Sequence, residues 1–307
     1  MKILIIGLGS IAKKHIKALN ALGIKAELYA LRFQKNALKE EGITNLFSEQ
    51  EIDNDFDFAI ISNPTNLHFQ SIDLLIKKNI PLFLEKPPLA SLFGAEELNN
   101  RVIKAGIKTY VACNLRFHPC IEYLKNLINS NPETSINEVN VYCGSYLPDW
   151  RPDLDFRQNY SANKSQGGGV HLDLFHELDY VHWIFGIPLT LKSYKTSNSS
   201  LKITAIDYAN YILGYKNFTA NIILNYYRRT PKRTIEILYD ERTLIVDLIK
   251  NQIIENEKVL FNDTSFEISD TYIKQMHFFI NQVLSDETQM NTFTESLKIL
   301  KTCLHAE

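Results

Sequence analysis

The sequence has no excess of charge of either sign, no long apolar run and few cysteines. Lys and Arg total 33 against 35 Asp and Glu, so the chain lacks the basic excess that binding a nucleic acid backbone requires. No apolar run approaches the ~18–20 residues of a membrane span. The four cysteines form neither a CxxC pair nor a secreted disulfide framework. These absences predict a soluble, reduced, cytoplasmic protein that binds neither nucleic acid nor membrane.

The chain length and the pattern of apolar residues predict two domains, because 307 residues exceed the ~150 of an average domain. Residues 1–118 alternate strand-like and helix-like segments, which is typical of a doubly wound parallel sheet. The predicted strands are Lys2–Gly7, Lys25–Leu31, Asp57–Ser62, Ile80–Leu84 and Lys108–Cys113. The predicted helices lie around Ile11–Leu22, Phe69–Lys77 and Ala95–Ala105.

Residues 119–307 have a different pattern, in which long runs of β-formers stand between helices. The predicted helices are Cys120–Asn129, Val170–Phe185, Ser269–Leu284 and Thr292–His305. The β-rich runs are Leu189–Thr196, Lys202–Tyr215, Phe218–Arg228, Arg233–Tyr239 and Thr243–Leu248. Polar breaks of hairpin length separate several of these runs. The second domain is therefore expected to be α+β, with an open, mostly antiparallel sheet.

A glycine motif follows the first predicted strand and opens the first helix. It reads Gly7-Leu8-Gly9-Ser10-Ile11-Ala12, a GxGxxA pattern. Gly7 permits a tight turn, Gly9 allows a pyrophosphate to approach the backbone, and Ala12 keeps helix and strand close. Ser10 and Ile11 start the helix, whose free N–H groups attract phosphate. The motif predicts a dinucleotide site, and a purely structural turn is the alternative.

The end of the second strand bears on which dinucleotide binds. NAD sites usually hold an acidic residue there, which binds the ribose 2′-hydroxyl. In this sequence Glu27 lies near the start of the strand and Arg32 stands where the acid is expected. A guanidinium can bind a 2′-phosphate with two parallel hydrogen bonds. The sequence thus favours NADP(H) over NAD(H), and an ordinary surface arginine is the alternative.

Further motifs follow in an order that resembles a known family. They are Gly7–Ala12 with His15, Asn63-Pro64-Thr65 with His68, Leu84-Glu85-Lys86-Pro87, Asn114–Phe117 and Gly167–Asp179. Together they resemble the Gfo/Idh/MocA oxidoreductases, which include glucose–fructose oxidoreductase and myo-inositol dehydrogenase. The resemblance covers essentially the whole chain. It implies an N-terminal Rossmann domain, a C-terminal open sheet, and a nicotinamide cofactor between them.

The resemblance also implies roles for single residues. Glu85 and Asn114 would contact the nicotinamide ribose, while Pro64 and Thr65, in the motif with Asn63 and His68, would contact the cofactor's other face. Lys86 would lie beside the nicotinamide and reach the reacting substrate oxygen, after a cis peptide to Pro87. Members usually assemble as dimers or tetramers through the second sheet.

Asp173 and His176 follow the glycines of residues 167–169 on a predicted helix. The family spacing is typically four residues, whereas here it is three, and either spacing keeps two side chains on one helical face. His176 is the candidate acid/base because an imidazole titrates near neutrality. Asp173 would orient the substrate hydroxyls or the imidazole. Lys86 would stabilise the developing alkoxide, although the roles of Lys86 and His176 could be exchanged. No metal is expected, because Lys86 already supplies a cation.

A loop rich in aromatic residues and proline precedes the glycines. In it, Tyr146 and Trp150 could stack on a sugar ring, and Arg151 could bind hydroxyls or phosphates; packing at the domain junction is the alternative for Trp150. Arg116, in the motif after Asn114, is a further substrate candidate. The expected reaction is NAD(P)-dependent transfer of a hydride to or from a secondary hydroxyl or keto carbon of a sugar, sugar derivative or nucleotide sugar.

Two alternatives of other classes stay open. Some relatives are glycosidases that use a tightly held NAD during cleavage, and others are non-catalytic sensors of dinucleotides. A cofactor that purifies with the protein and is not consumed would favour the glycosidase. Loss of the catalytic lysine would favour the sensor, and Lys86 is present.

Overall fold

The computed structural model describes residues 1–32, 40–131 and 135–305. It divides into two compact units. The first unit comprises Met1–Asn114 and Ile268–Leu300, and the second comprises Leu115–Glu267 with the chain from Lys301 onward. The sequence predicts one boundary after residue 118, with residues 268–300 in the second domain, whereas in the structure this segment groups with the first unit. No helix within the described ranges is both long and apolar enough to cross a membrane.

Helices and strands are numbered in chain order. The helices are α1 Ser10–Ala21, α2 His68–Lys77, α3 Ala95–Ala105, α4 Pro119–Ser130, α5 Val170–Asp173, α6 Phe175–Phe185, α7 Ile268–Phe278 and α8 Phe293–Leu304. The strands are β1 Lys2–Ile6, β2 Glu27–Leu31, β3 Ile43–Leu46, β4 Phe58–Ile61, β5 Leu82–Glu85, β6 Thr109–Ala112, β7 Ile136–Tyr146, β8 Thr190–Thr196, β9 Tyr208–Gly214, β10 Thr219–Asn225, β11 Tyr227–Tyr239, β12 Thr243–Asp247, β13 Gln252–Glu255 and β14 Lys258–Asn262.

The first unit is built on a six-stranded parallel sheet with the order β3-β2-β1-β4-β5-β6. Strands β4, β5 and β6 are buried along their whole length, as a continuous apolar run on a central parallel strand predicts. The strand order reverses between β1 and β4, and ligands bind such sheets beyond the carboxyl ends of the strands at this point. Gly7, Ser62 and Asn63 follow β1 and β4 there.

The second unit contains an eight-stranded sheet with the order β14-β13-β12-β11-β7-β10-β9-β8. Every neighbouring pair is antiparallel except β10 with β7. One face buries alternate residues, among them Val141, Ile222 and Ile235, and Arg233 on this face pairs with Glu177 of α6. The opposite face leaves Tyr194, Ile212 and Ile245 exposed. The predicted fold class, a doubly wound parallel sheet followed by a mostly antiparallel sheet with helices, is confirmed.

Several elements differ from the predicted ones. Strands β3, β13 and β14 are not among the strands predicted from the sequence. The predicted β-rich run Lys202–Tyr215 forms a strand only from Tyr208 to Gly214. The single predicted helix Val170–Phe185 is two helices, because the backbone at Leu174 leaves the helical region (φ −95°, ψ 35°). Asp173 and His176 therefore lie on different helices, and the predicted shared helical face does not exist.

Candidate active site

The turn after β1 requires glycine because another strand end lies against it. Gly7 has φ +95°, and a Cβ at this position would lie 2.3 Å from the backbone nitrogen of Asn63. The Ser62 hydroxyl donates a hydrogen bond of 2.8 Å to the Gly7 carbonyl, and the Gly9 N–H donates to the same carbonyl at 3.0 Å. The ends of β1 and β4 are thus held together at the point where the strand order reverses.

The N-terminus of α1 offers uncapped donors to a ligand. Gly9 occupies the N-cap position, makes no side-chain cap, and has no heavy atom within 4 Å of the place where a Cβ would be. Ala12, in the first turn of α1, is fully buried. Open space before a helix N-terminus, with its N–H groups and positive dipole end unshielded by a side chain, suits a pyrophosphate. The residues present fit a dinucleotide.

Arg32 follows the last residue of β2, where the sequence predicts a contact to the adenosine ribose. Its backbone N–H donates to Leu46 of β3 at 2.8 Å, which fixes the start of the side chain. The Nη1 atom is buried and has no hydrogen-bond partner among the described residues. Glu27 lies at the opposite end of the strand and is exposed. A guanidinium donor is therefore present at the end of β2, the part of such a sheet that usually contacts the adenosine ribose.

The turn after β4 carries Asn63, Pro64 and Thr65. Asn63 is nearly buried, and its side-chain amide donates to Ser71 at 2.9 Å. Pro64 is exposed and Thr65 half-buried, so both have surface that a ligand can reach. His68, three residues further on, is fully buried.

The imidazole of His68 joins two turns of the backbone. Its Nε2 lies 3.0 Å from the carbonyl of Asn63, and its Nδ1 lies 3.1 Å from the carbonyl of Pro87 and 3.3 Å from that of Pro88. Burial lowers the pKa of His68 below its usual value, although these carbonyls oppose the shift. His68 therefore contacts the backbone of the turn that carries Asn63 to Thr65 and the backbone that follows Lys86.

Glu85 and Lys86 stand at the carboxyl end of β5. Glu85 is 8% exposed, and its Oε1 lies 2.6 Å from Nε2 of the fully buried His15 on α1. Its other oxygen accepts the backbone N–H of Lys86 at 3.2 Å. The Lys86–Pro87 peptide is cis, as the resemblance implies, and the Lys86 side chain is half-buried. His15 appears in the sequence motif, but its partner became visible only in the structure.

Asn114 follows β6 and is also nearly buried. Its side-chain amide donates to the Thr271 hydroxyl of α7 at 2.6 Å, and that hydroxyl donates to the Ile268 carbonyl. The first unit therefore places Gly7, Asn63, Glu85 and Asn114 just beyond, or at, the ends of β1, β4, β5 and β6 at one edge of the sheet. The candidate cofactor residues of this unit share one edge.

The second unit holds the remaining candidates around the glycines of residues 167–169. A Cβ on Gly168 would lie 2.0 Å from the Tyr160 carbonyl, so this close approach requires glycine. The helix α5 follows at once and ends at Asp173. His176 lies half-buried in the first turn of α6.

Two tyrosines that sequence reasoning missed hold the Asp173 carboxylate. The Tyr160 hydroxyl donates to its Oδ1 at 2.6 Å, and the Tyr226 hydroxyl donates to its Oδ2 at 2.5 Å. Tyr226 is fully buried, and burial together with Asp173 raises the pKa of its phenol well above the usual value. Both phenols therefore remain donors and fix the carboxylate in one orientation.

Trp150 belongs to the same cluster. Its ring packs edge-on against Tyr226 with centroids 5.4 Å apart, and its indole N–H donates to Ser145 at 2.8 Å. It nevertheless keeps 38% of its surface exposed. Tyr146 is half-buried at the end of β7, and Arg151 is exposed. These three candidates lie on one short segment, and Trp150 joins it to the Asp173 cluster.

Arg116 has an internal partner. Its guanidinium makes two hydrogen bonds to Asp179 of α6, at 2.9 and 2.7 Å, and both residues are at least 95% buried. It also lies 5.4 Å from the Trp183 ring. This buried bidentate pair fixes α6, which carries His176, to the segment after Asn114.

Comparison with known proteins identifies related sequences and folds. Residues 1–113 match the model of the oxidoreductase family GFO_IDH_MocA with an NAD-binding Rossmann fold, and residues 121–245 match the GFO/IDH/MocA C-terminal domain. The uncharacterized oxidoreductase YrbE of Bacillus subtilis is 25% identical over 310 residues, which cover 95% of this chain and 85% of that protein.

Two solved structures share the fold. Levoglucosan dehydrogenase, in complex with NADH, has a TM-score of 0.85 at 14% identity, covering 99% of this chain and 95% of that one. The UDP-N-acetylglucosamine 3-dehydrogenase GnnA of Acidithiobacillus ferrooxidans has a TM-score of 0.78 at 17% identity, with the same coverage of both chains. The chain is a dehydrogenase of the class that acts on CH–OH groups. Its two domain matches, together spanning most of its length, show that it belongs to the Gfo/Idh/MocA family of NAD-binding oxidoreductases.

Proposed function

We propose that this enzyme transfers a hydride between C4 of a nicotinamide and a secondary hydroxyl or keto carbon of a sugar, sugar derivative or nucleotide sugar. The observation that carries the proposal is the shared sheet edge of the first unit. The glycine turn after β1 and the Glu85–Lys86 pair after β5 lie at the ends of strands separated only by β4. The uncapped N-terminus of α1 and the amine of Lys86 thus lie at the same edge of the sheet. This arrangement suits a dinucleotide, bound at the helix, and the reacting oxygen of a substrate, near the amine.

The cofactor would be held by the N-terminus of α1, the turn at Asn63, Pro64 and Thr65, and the side chains of Glu85 and Asn114. When bound, the nicotinamide accepts or gives the hydride. The contacts of His68 support an indirect contribution: a buried imidazole between the Asn63 and Pro87 carbonyls keeps both turns in place. His68 belongs to the predicted cofactor motif, and we assign it this positioning role.

We assign the transfer of the substrate's proton, and the stabilisation of charge on its reacting oxygen, to side chains of this chain. Lys86 stabilises the negative charge that develops on the oxygen, and His176 accepts the hydroxyl proton during oxidation and returns it during reduction. Asp173, fixed by two tyrosines, accepts hydrogen bonds from substrate hydroxyls or orients the imidazole. Trp150, Tyr146 and Arg151 offer an aromatic face and a cation to a sugar ring.

We assign NADP(H) as the preferred cofactor. Arg32 supports this because its buried Nη1 is an unused donor, within the described part of the chain, at the end of β2. A buried donor without a partner costs free energy, which a 2′-phosphate would recover. The NADH in the levoglucosan dehydrogenase complex belongs to that protein and leaves the assignment to experiment.

Sugars are the proposed substrates because the two structural relatives carry the names of a levoglucosan dehydrogenase and a UDP-N-acetylglucosamine dehydrogenase. The enzyme is further proposed to be a homodimer or homotetramer. The exposed face of its second sheet supports this, since Tyr194 and Ile212 are 63% and 45% exposed on it, and exposed apolar side chains on one face are commonly covered by a second copy.

The test is an assay of the purified enzyme with NADP⁺ or NAD⁺ and a panel of free sugars, sugar phosphates and nucleotide sugars, following the absorbance of the reduced nicotinamide. Substrate-dependent formation of stoichiometric reduced cofactor supports the proposal. Release of a sugar from a glycoside without net change in the cofactor supports the glycosidase alternative instead. Cofactor binding with no turnover of any panel member in either direction would favour a sensor.

A further inference from the structure

The start of β11 concentrates positive charge in a chain whose net charge is only −2. Residues 227–233 read Tyr-Arg-Arg-Thr-Pro-Lys-Arg, so four cations occur within six positions. One of them, Arg233, points to the buried face of the sheet and pairs with Glu177 at 2.6 Å. The other three, Arg228, Arg229 and Lys232, lie over tyrosine rings.

These three cations lie against the tyrosines of the neighbouring strand β7. The Arg229 guanidinium is 3.6 Å from the centroid of the Tyr146 ring. Arg228 and Lys232 are each 5.1 Å from the centroid of the Tyr142 ring. Stacking on an aromatic face holds a guanidinium flat without using its N–H donors, so its edge stays available to an acceptor.

Nothing within residues 1–32, 40–131 and 135–305 neutralises this group. Arg228, Arg229 and Lys232 form no ion pair there, and Nε of Arg228 is buried without a hydrogen-bond partner. Arg242, near the other end of β11, makes an instructive contrast. It also stacks on a tyrosine, 4.7 Å from the Tyr239 ring, but its charge is paired with Glu255 at 3.1 Å.

Arg228, Arg229 and Lys232 border the cluster around Asp173. Tyr227 pairs with Tyr146 in the β7–β11 ladder, and Tyr226, the residue before it, donates to Asp173. The Leu147 N–H donates to the Tyr226 carbonyl at 2.8 Å, which ties the segment carrying Trp150 to the same point. The cations at the start of β11 and the segment assigned to the sugar, which follows β7, therefore lie at the same end of these two paired strands.

We propose that Arg228, Arg229 and Lys232 bind a phosphate or pyrophosphate group carried by the substrate. Three cations without an ion pair among the described residues match the charge of a phosphate monoester or a diphosphate, and the two guanidinium groups can bind its oxygens in pairs. Sugar phosphates and nucleoside-diphosphate sugars share this chemistry. That the bound anion is part of the substrate rests on the proposed function; that the cluster binds phosphate does not.

The direct test is calorimetric titration of the whole protein with inorganic pyrophosphate, in the absence of sugar and in the presence of saturating NADPH, which occupies the candidate pyrophosphate position before α1. Arg228→Gln and Arg229→Gln are each expected to weaken binding about tenfold or more, because a charge-assisted hydrogen bond is lost. Arg242→Gln is the matched control, since it removes a stacked arginine whose charge is already paired, and it should bind pyrophosphate as the wild type does. Binding that is unaffected in both test variants overturns the proposal.

A second measurement separates a ligand site from a contact between subunits. Light scattering of the same variants should give the mass of the wild-type assembly. A smaller assembly with unchanged affinity for pyrophosphate would mean that the cations bind an acidic surface of a second copy, and would overturn the phosphate site. Neither calorimetry nor light scattering involves turnover. These measurements can therefore reject the phosphate site without affecting the dehydrogenase proposal, and an inactive enzyme would not by itself reject the phosphate site.

The two sources of phosphate are distinguished by competition. UDP, glucose 6-phosphate and glucose are each titrated against bound pyrophosphate. Tighter competition by UDP supports a nucleoside-diphosphate sugar, and tighter competition by glucose 6-phosphate supports a sugar monophosphate. If glucose competes as well as either phosphorylated compound, the cluster does not recognise phosphate and the proposal is wrong.

Discussion

Nε2 of His15 lies 2.6 Å from Oε1 of Glu85, and both side chains are withdrawn from solvent. The pair joins α1, whose N-terminus faces the candidate pyrophosphate position, to the end of β5, which carries Lys86. Because the second Glu85 oxygen accepts the Lys86 N–H, the orientation of the carboxylate is determined from two sides. One buried hydrogen bond therefore couples the candidate cofactor helix to the candidate catalytic lysine.

Replacing His15 with Leu should weaken NADPH binding about tenfold and lower the melting temperature, because the Glu85 carboxylate loses a buried partner at a cost of about 1–3 kcal/mol. His15→Gln should recover part of both losses, since its amide can donate to Glu85. Fluorescence titration and thermal unfolding measure the two effects.

The matched control for this prediction is His182→Leu in the second unit. His182 is also buried, with its ring nitrogens 2.8 Å from the Leu178 carbonyl and 3.0 Å from the Thr302 hydroxyl. This variant should lose stability and keep the wild-type affinity for NADPH. Equal loss of NADPH affinity in both leucine variants would mean that His15 acts only through general stability.

Lys86→Met should reduce kcat about 10²–10⁴-fold while the dissociation constant of NADPH stays within a factor of about three. The methionine keeps the length of the side chain but cannot stabilise charge on the reacting oxygen. Steady-state kinetics and nicotinamide fluorescence provide the two numbers. Turnover at the wild-type rate would remove Lys86 from the catalytic assignment.

Tyr226→Phe should lower kcat/KM about tenfold, because Asp173 loses a hydrogen bond to a charged group and with it one of the two constraints on its orientation. Tyr160→Phe removes the other hydrogen bond and should act in the same direction, and Asp173→Asn should exceed either change. The comparison of kcat/KM among the three variants checks this order. Two phenylalanine variants with normal kinetics would show that the tyrosines support the fold but do not position Asp173 for the reaction.

The free energy of unfolding should depend on pH because burial lowers the pKa of several histidines, and His171 should make the largest contribution. Burial, followed by the nearby Lys195 charge, lowers the pKa of His171 from 6.5 to about 3. Above pH 6.5 the residue is neutral in both folded and unfolded chains, so it contributes no pH dependence. Below that pH the unfolded chain binds a proton that the folded protein excludes, so stability falls as the pH falls, by about 1.4 kcal/mol per pH unit.

His171→Gln should remove this contribution. Urea unfolding between about pH 6 and pH 4 should give a stability curve that is shallower than that of the wild type by about 1.4 kcal/mol per unit. His68 and His182, whose pKa values burial also lowers, contribute in the same direction in both proteins and cancel in the difference. Parallel curves would contradict a neutral, buried His171.

Local sequence patterns were sufficient to predict the parallel sheet and the glycine turn. A buried strand, its glycine turn and the helix that follows are adjacent in the chain, so their pattern is visible in consecutive residues. They were insufficient for β3, whose four residues Ile43–Leu46 contain no apolar run. The β13–β14 hairpin turns at Asn256 and Glu257, both with positive φ. Turns of this kind favour Gly, Asn or Asp, so a glutamate gives no sign of the turn in the sequence. Short, half-exposed strands carry little periodicity to detect.

The contacts of the candidate site required the tertiary structure. Arg116 and Asp179 are 63 positions apart, His15 and Glu85 are 70 apart, and Asp173 and Tyr226 are 53 apart. Tyr226 follows a β-rich run and shares no local motif with Asp173, so nothing in the chain marks the two residues as partners. The break at Leu174 was equally hidden, because leucine favours helix and the surrounding residues continue the helical pattern.

The central claim is that a nicotinamide dinucleotide binds at the glycine turn, with Arg32 selecting NADPH. Parallel titration of the wild type and Arg32→Ala with NADPH and NADH, following nicotinamide fluorescence, tests it most directly. We expect the wild type to bind NADPH more tightly than NADH, and Arg32→Ala to lose that difference through weaker NADPH binding alone. Stronger binding of NADH by the wild type would contradict the role of Arg32, and failure of cofactor-free protein to bind either dinucleotide would contradict the site itself.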